Sequence, residues 1–297
     1  MPRQGRPRII SRKASGTKLY VDDLREAVRL VKVEGESLSD VIRSLVHEAL
    51  RSRRLRAIGR DELRKYEKVR VIDVEVTAAS CENGLFRVTT ADGRMFSSKK
   101  LLLATGVADN VPAVPGLREL YGKSVFHCPY CDGYEVRDQP LAVYGCEERG
   151  YGLALELLGW SKDVVLVSDG PCGIDANGLA RLAKHRIAVR EEKVARLEGR
   201  DGRLERIVFE SGEPLERRAL FFTTGQTQRS HLADSLGCTF NEKGTVRTGP
   251  YESTHLHGLY VAGDASRAVQ WVIVAAAEGA EAAYSINQDL IKESLTS

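Results

Sequence analysis

One stretch of the sequence constrains the fold more than any other. Residues 141–159, LAVYGCEERGYGLALELLG, read as an apolar strand, a glycine-containing turn and a helix in direct succession. Another apolar strand follows in DVVLVSDG, and two more occur in ALFFTTGQ and GLYVAGDAS. Strands that alternate with helices in this way favour a largely parallel sheet. The sequence therefore predicts an α/β fold.

The region before this stretch has a different sequence pattern. VRVIDVEVTAAS, LFRVTTADGRMF and KKLLLATG are typical of a β-meander that leads into a buried strand. Pro112, Pro115 and Gly116 then interrupt the pattern, which indicates a crossover into another domain. A chain of 297 residues has room for two or three such compact units.

Composition and apolar run length exclude several classes of protein. With 42% hydrophobic and 29% charged residues, the chain is neither disordered, collagen-like nor a coiled-coil rod. No apolar run approaches the roughly 18 to 20 residues that span a bilayer, and no apolar stretch follows the basic N-terminus. We therefore expect a cytoplasmic protein without membrane contacts.

Two of the six cysteines, Cys128 and Cys131, have the spacing C-x-x-C. In a reducing compartment this spacing indicates redox or metal chemistry. A zinc site needs four ligands, and the other four cysteines are scattered singly along the chain. Haem attachment requires a histidine after the pair, whereas His127 precedes it. The spacing therefore favours a disulfide that can be reduced and re-formed, and no metal site is predicted.

The positive charge of the chain is concentrated at its N-terminal end. Residues 1–60 hold 15 Lys and Arg against 7 Asp and Glu, while the other 237 residues hold 29 against 34. Within residues 16–55, Leu19 and Val21 alternate with polar neighbours, and two helical patterns follow. About 45 residues bury too little surface to fold alone, so this pattern predicts a homodimer.

This strand-helix-helix pattern resembles the ribbon-helix-helix DNA-binding fold, and we assign residues 1–57 to such a segment. The resemblance implies that Lys18 and Tyr20 face base edges and that the helix start at Ser39 meets a DNA phosphate. Basic residues ahead of the strand would add attraction to DNA of any sequence. The alternative is a solvated, basic helical hairpin that only dimerises the protein.

Three stretches together resemble bacterial thioredoxin reductase-like flavoproteins: HCPYCDGYE, LLLATGVADNVPAVPG and GLYVAGDASRAVQWVIVAAAEGAEAAYSIN. The resemblance covers residues 58–297. It implies two dinucleotide-binding domains, with the FAD domain split into residues 58–115 and 245–297. Residues 116–244 would form the inserted NAD(P)-binding-like domain that carries the C-x-x-C pair.

The resemblance also implies roles for individual residues. Cys131 would be the sulfur next to the flavin, and Cys128 the thiolate that attacks a substrate disulfide. Asp132 would donate and accept protons, for which it needs a raised pKa, although a turn residue before Gly133 is an equally open reading. The FAD contacts would be Ala104, Thr105, Gly106, Gly263, Asp264 and Gln270. The helix after Gln270 would direct its positive N-terminal end at the flavin.

The sequence departs from the family pattern in three places, the third of which is that no Arg pair follows the strand DVVLVSDG to hold the 2′-phosphate of NADPH. The family begins with a G-x-G-x-x-G turn that holds the FAD pyrophosphate, and here the ribbon-helix-helix-like segment stands in its place. We therefore expect a fold truncated at its N-terminus, with FAD affinity lower by about three to six powers of ten. The second departure is Glu147, which stands between Gly145 and Gly150 where a glycine would let the backbone approach the pyrophosphate of NAD(P)H.

Asp169 follows the next strand, where a carboxylate would select NADH over NADPH, and it is equally suited to a turn. The leading hypothesis is a thioredoxin reductase-like oxidoreductase that passes electrons from NAD(P)H through FAD to Cys128 and Cys131, and then to a protein or small-molecule disulfide. One alternative is a redox- or nucleotide-sensing DNA-binding regulator. Another is an inactive flavoprotein remnant, which an abnormal fusion or a wrong gene start would also produce.

Overall fold

A computed structural model of the protein describes residues 61–296. The chain divides into one unit over Met1–Glu75 and a second over Val76–Ser297. Lys18, Tyr20 and Ser39 lie outside the described residues, together with all of the ribbon-helix-helix-like segment, so their roles stay predictions. No helix in the described part of the chain is both long and apolar enough to cross a membrane.

Within residues 76–296, the second unit is an α/β structure of fifteen strands and six α-helices. The strands are β1 (Val76–Glu82), β2 (Leu85–Thr90), β3 (Met95–Ser98), β4 (Leu101–Leu103), β5 (Val107–Asp109), β6 (Val125–Phe126), β7 (Leu141–Tyr144), β8 (Val164–Val167), β9 (Ala188–Arg190), β10 (Val194–Arg200), β11 (Arg203–Phe209), β12 (Leu215–Glu216), β13 (Ala219–Phe222), β14 (Gln226–Gln228) and β15 (Leu259–Val261). The helices are α1 (Leu117–Leu120), α2 (Pro129–Asp132), α3 (Glu147–Glu156), α4 (Ala176–Lys184), α5 (Leu232–Ser235) and α6 (Val272–Thr296).

The predicted meander is present as the antiparallel sheet β1-β2-β3. Asn83 and Gly84 join its first two strands with φ angles of 52° and 75°. Two successive left-handed residues are what a tight hairpin turn requires, and Asn-Gly is the pair best suited to it. The meander is followed by β4, which pairs in parallel with β15, a strand about 160 residues further along the chain. These elements form a first lobe.

A second lobe is built on a five-stranded sheet of order β6-β13-β7-β8-β9, in which every paired strand is parallel. Its central strands are almost fully buried, as continuous apolar runs in a parallel sheet should be. Helices α3 and α4 cover one face, and the antiparallel sheet β10-β11-β12 covers the other. The α/β prediction is therefore confirmed.

An antiparallel ribbon of β5 and β14 connects the two lobes, with the register Asp109 to Gln226. After β14 the chain packs with the first lobe, because Leu232, Ala233 and Cys238 share a buried cluster with Leu103. The predicted boundary at residue 244 therefore differs from the packing. The sequence has no glycine- or proline-rich break at β14, whereas the short apolar helix α5 returns to the first lobe directly after it.

Candidate active site

The two cysteines of the C-x-x-C pair stand at the start of helix α2. Cys128 precedes the helix in extended conformation, Cys131 lies within it, and the two form a disulfide with Cα atoms 5.3 Å apart. Gly133 ends the turn, where a Cβ would come within 2.9 Å of the Trp160 ring. The glycine therefore allows an indole ring to pack directly against the disulfide-bearing turn.

Aromatic rings from both lobes surround this turn. Tyr130, between the two cysteines, is 55% exposed. Its ring meets the Trp160 ring edge-on at 5.2 Å between centroids, and lies 6.3 Å from the ring of Trp271. Trp271 immediately precedes α6 of the first lobe. The C-x-x-C turn of the second lobe thus faces the part of the first lobe where the sequence places the flavin.

A polar cluster adjoins Cys128. His127 Nδ1 lies 3.3 Å from Asp109 Oδ2, and the Tyr121 hydroxyl donates to the same oxygen. Gln226 Nε2 donates to Asp109 Oδ1 at 2.7 Å. Burial raises the pKa of Tyr121, and its bond to Asp109 and the charges of Asp109 and Asp132 raise it further. Sequence reasoning used His127 only to exclude haem and did not identify this cluster.

The predicted proton carrier, Asp132, is the last residue of α2 and is buried. Its backbone N–H donates to the Cys128 carbonyl at 3.2 Å, as does the N–H of Cys131. The carboxyl group therefore belongs to the same turn as both sulfur atoms.

The residues predicted to contact FAD lie at the ends of the paired strands β4 and β15. Ala104, Thr105 and Gly106 follow β4, and Gly106 has a φ of 67° with open space where a Cβ would point. Gly263 and Asp264 follow β15 in a short 3₁₀ turn. Because parallel strands end at the same edge of a sheet, the structure brings these predicted residues together.

Asp264 is linked electrostatically to the cluster beside Cys128. Burial raises its pKa, the charge of Glu278 raises it further, and His127 opposes this shift while Asp109 adds to it. The sequence-predicted Asp264 corner therefore lies within electrostatic range of His127, the residue that precedes the C-x-x-C pair.

Several large apolar side chains are exposed at the start of α6. The side chain of Gln270 donates to the Arg267 carbonyl at 3.5 Å. Four large apolar side chains around it are about half exposed: Val269, Trp271, Val272 and Ile273. An apolar surface beside a half-buried carboxylate fits a flat aromatic ring with a polyhydroxyl chain, so the residues present fit the flavin half of FAD.

An ion-pair cluster behind this surface was not foreseen from the sequence. Arg267 donates to Glu252 and to Glu278, in each case at 2.5 Å, and both carboxylates are almost fully buried. Glu278 also accepts the N–H of Gly263 at 2.7 Å, which fixes the turn that carries Asp264. The three charged residues share no motif or spacing, so no sequence signal could have found them.

The predicted pyridine-nucleotide turn has the close packing that its glycines imply. A Cβ on Gly150 would come within 2.6 Å of the Gly145 carbonyl, and a Cβ on Gly145 within 2.7 Å of Thr223. Glu147 between them has a φ of 54°, in the left-handed region that favours glycine. The turn thus keeps the backbone shape of a phosphate-binding loop. It carries the Glu147 carboxylate at the position where a glycine would let the backbone approach the pyrophosphate.

Asp169 is held within its own loop, at a φ of 55°. Its carboxylate accepts the Tyr144 hydroxyl at 2.6 Å and the Val194 N–H at 2.8 Å, and its carbonyl accepts Lys193 Nζ at 2.6 Å. Both carboxylate oxygens are therefore engaged by the protein. This geometry favours the turn reading of Asp169 over the ribose reading.

Comparisons of the chain with a family model, with known proteins and with solved structures agree with one another. The family model for pyridine nucleotide-disulphide oxidoreductases matches residues 22–279. Thioredoxin reductase tcpT of Claviceps purpurea is 32% identical over 223 residues, covering 70% of this chain and 68% of the relative. Thioredoxin reductase aclD of Aspergillus oryzae is 27% identical over 236 residues, covering 76% of this chain and 75% of the relative.

Two solved structures are similar in fold and sequence. The putative thioredoxin reductase TrxB of Bacillus anthracis superimposes with a TM-score of 0.75 at 32% identity, covering 81% of each chain. HlmI superimposes with a TM-score of 0.77 at 32% identity, covering 82% of this chain and 77% of its own. The family match begins at residue 22, inside the segment predicted to be ribbon-helix-helix, and none of these comparisons supports that prediction.

Proposed function

The chain belongs to the pyridine nucleotide-disulphide oxidoreductases and is a thioredoxin reductase-like oxidoreductase, and from this premise we propose that Cys128 and Cys131 carry out its reaction. The observation that supports this most directly is the disulfide between them, at the face of the second lobe that meets the Asp264 corner of the first. A sulfur pair in that place can receive electrons on one side and meet a substrate on the other.

The reaction that this pair supports is thiol–disulfide exchange. The reduced Cys128 thiolate attacks one sulfur of a substrate disulfide, and the other substrate sulfur leaves as a thiolate. The Cys131 thiolate then attacks Cys128, so the protein disulfide re-forms and the second substrate sulfur is released. The substrate gains two electrons from the protein pair, and its two thiolates take up two protons equivalent to those that Cys128 and Cys131 released on ionising.

The family binds FAD and NAD(P)H, and we assign the FAD contacts to the residues at the ends of β4 and β15. Asp264 would accept a hydrogen bond from a ribitol hydroxyl, and Gly106 would let the backbone approach the flavin. Gln270 and the apolar start of α6 would face the flavin ring. FAD, when bound, supplies the two electrons that reopen the Cys128–Cys131 bond. Asp132, buried in the same turn, would exchange a proton with Cys131.

Nucleotide binding is proposed to be weaker than in the rest of the family. Glu147 places a negative charge in the loop where the pyrophosphate of NADH or NADPH would lie. Before residue 106 the sequence has no G-x-G-x-x-G to hold the FAD pyrophosphate. We therefore propose an FAD domain of low affinity that needs added FAD for full occupancy.

The proposed function is tested by NADH- and NADPH-dependent reduction of the chromogenic disulfide DTNB with added FAD. We expect turnover by the full chain, and its loss in Cys128→Ser and Cys131→Ser. Cys81→Ser, which removes an exposed free thiol, should leave the rate unchanged. Equal rates in all four proteins, or no turnover in any, would refute the assignment, and the second result would favour the inactive remnant.

DNA binding by residues 1–57 rests on their positive charge and pattern alone, and the homodimer rests on the small size of that segment. Mobility shift on duplex DNA at low salt, with oxidised and reduced protein, tests the regulator hypothesis. Failure of both forms to shift the duplex would exclude it, and the molecular mass in solution tests the dimer.

A further inference from the structure

The turn that carries Asp264 is held at both ends by hydrogen bonds from distant parts of the chain. At its start, the N–H of Gly263 donates to Glu278 Oε2 at 2.7 Å. At its end, the carbonyl of Ala265 accepts Nε2 of Gln228, on the ribbon strand β14, at 2.9 Å. Asp264 lies between these two anchors, so they hold the backbone from which its carboxylate projects.

One of the two anchors, Glu278, is a buried charged residue that the proposed reaction has not used. Its side chain belongs to α6, and the residue is 6% exposed. Its second oxygen, Oε1, accepts Arg267 Nε at 2.5 Å, and Arg267 also donates to Glu252. Because burying a carboxylate without partners is costly, these bonds hold the Glu278 side chain in the orientation that meets the Gly263 N–H.

The contact between the turn and α6 is close as well as hydrogen-bonded. Gly263 has a φ of 76°, in the left-handed region that favours glycine. A Cβ at this position would lie 3.4 Å from the Cβ of Ala275. Ala275 and Glu278 are three residues apart and therefore share one face of the helix. The same face of α6 thus packs on the turn and bonds to it.

Glu278 also acts on Asp264 through its charge. Burial raises the pKa of the Asp264 carboxyl group, and the negative charge of Glu278 raises it further. His127, beside β6, opposes this shift, and Asp109, on β5, adds to it. A neighbouring negative charge disfavours ionisation, so Glu278 makes Asp264 easier to protonate. A protonated Asp264 is a poorer acceptor for a ribitol hydroxyl, because hydrogen bonds to a charged acceptor are the stronger ones.

We propose that Glu278 is the positioning residue of the Asp264 turn and sets the pH range over which Asp264 binds FAD. Its bond to Gly263 keeps the turn in its binding shape, and its charge raises the pH at which FAD affinity begins to fall. The bond acts at every pH, whereas the charge acts through the titration of Asp264, so the two effects can be measured separately. The inference rests on the proposed function only in taking Asp264 as an FAD contact.

The first measurement is hydrogen–deuterium exchange of the full chain without FAD, resolved to single amides by mass spectrometry. The Gly263 amide should exchange about tenfold faster in Glu278→Ala, which removes its acceptor. Glu278→Gln should stay close to the parent, because its carbonyl can accept the Gly263 N–H while Arg267 keeps its bond to Glu252. Glu281→Gln alters an exposed carboxylate one turn later on α6 and should change nothing.

The second measurement is the affinity for FAD between pH 5 and pH 8, by quenching of FAD fluorescence. In Glu278→Gln the midpoint of the pH dependence should move down by roughly half to one pH unit, and the affinity at pH 8 should match that of the parent. Glu278→Ala should show the same shift together with a loss of about tenfold in affinity at pH 8. Glu281→Gln should follow the curve of the parent.

The outcomes distinguish this inference from the proposed function. An unshifted midpoint in Glu278→Gln, or unchanged exchange of the Gly263 amide in Glu278→Ala, would overturn the proposal. A parent chain that binds no FAD at any pH would overturn both the proposal and the assigned flavin contacts. A shifted midpoint in a chain that fails to reduce DTNB would support the role of Glu278 and refute the proposed reaction alone.

Discussion

The ring of Tyr130, between the two redox cysteines, lies 6.3 Å from the ring of Trp271 in the other lobe. The ring of Trp160, in the same lobe as Tyr130, lies 5.2 Å from the Tyr130 ring. The sequence contains two tryptophans, and both therefore contact the disulfide-bearing turn. Their fluorescence reports the state of that turn and the approach of the lobes.

This arrangement predicts that intrinsic tryptophan emission follows the redox state of the pair. Reduction with dithiothreitol removes a disulfide, which quenches neighbouring indole rings, so the emission intensity should rise. The Cys131→Ser variant has no disulfide to reduce and should show no change. An equal rise in that variant would mean that the tryptophans respond to something other than the Cys128–Cys131 bond.

The contact between Gly145 and Gly150 predicts a pair of opposite stability effects. Gly150→Ala forces a methyl group into the backbone of Gly145 and should lower the free energy of unfolding by about 2 kcal/mol. Gly152→Ala, two residues later on α3, meets open space and should raise it by up to about 1 kcal/mol. Urea denaturation measures both. Similar losses at the two positions would show that the packing of the turn is not the cause.

Substitution of Glu147 is expected to raise the affinity of the protein for NADH. Glu147→Gly relieves a left-handed backbone and removes a negative charge, so NADH should bind about tenfold more tightly and the protein should not lose stability. Glu148→Gly is the matched control, because its backbone is helical and a glycine there should cost about 1 kcal/mol. Fluorescence titration with NADH gives the affinities. Unchanged affinity in Glu147→Gly would remove the carboxylate as the obstacle.

Asp264 predicts how FAD affinity depends on pH. Burial raises the pKa of its carboxyl group, so acidification protonates it earlier than an exposed aspartate. A ribitol hydroxyl binds better to the ionised carboxylate, so the affinity should be highest above the raised pKa and fall as pH decreases through it. Binding should be weaker at pH 5 than at pH 7.5, with full protonation of the carboxyl group costing up to about tenfold in affinity, measured by quenching of FAD fluorescence. Asp264→Asn should bind weakly at both values, and a pH-dependent affinity in that variant would contradict this account.

Local patterns were enough to predict much of the second unit. Alternation predicted the meander β1-β2-β3, and continuous apolar runs predicted the buried strands β7, β8 and β13. The spacing of Cys128 and Cys131 indicated their disulfide. Each of these features is encoded within a few neighbouring residues, which is why periodicity and spacing reveal it.

Features that depend on tertiary contacts were missed. Asp109 meets Gln226 only because β5 and β14 pair across more than 100 residues. Glu252 and Glu278 meet Arg267 through the packing of α6, and no shared pattern links them. The return of the chain to the first lobe after β14 was missed for the same reason, since the burial of α5 against distant strands determines it.

The central claim is that Cys128 and Cys131 form a redox pair in electronic contact with FAD. Anaerobic titration of the FAD-loaded full chain with dithionite, followed by flavin absorbance, tests it most directly. We predict that each loaded chain consumes four electrons, two for the flavin and two for the disulfide, and that Cys131→Ser consumes two. Consumption of two electrons by both proteins would contradict the claim.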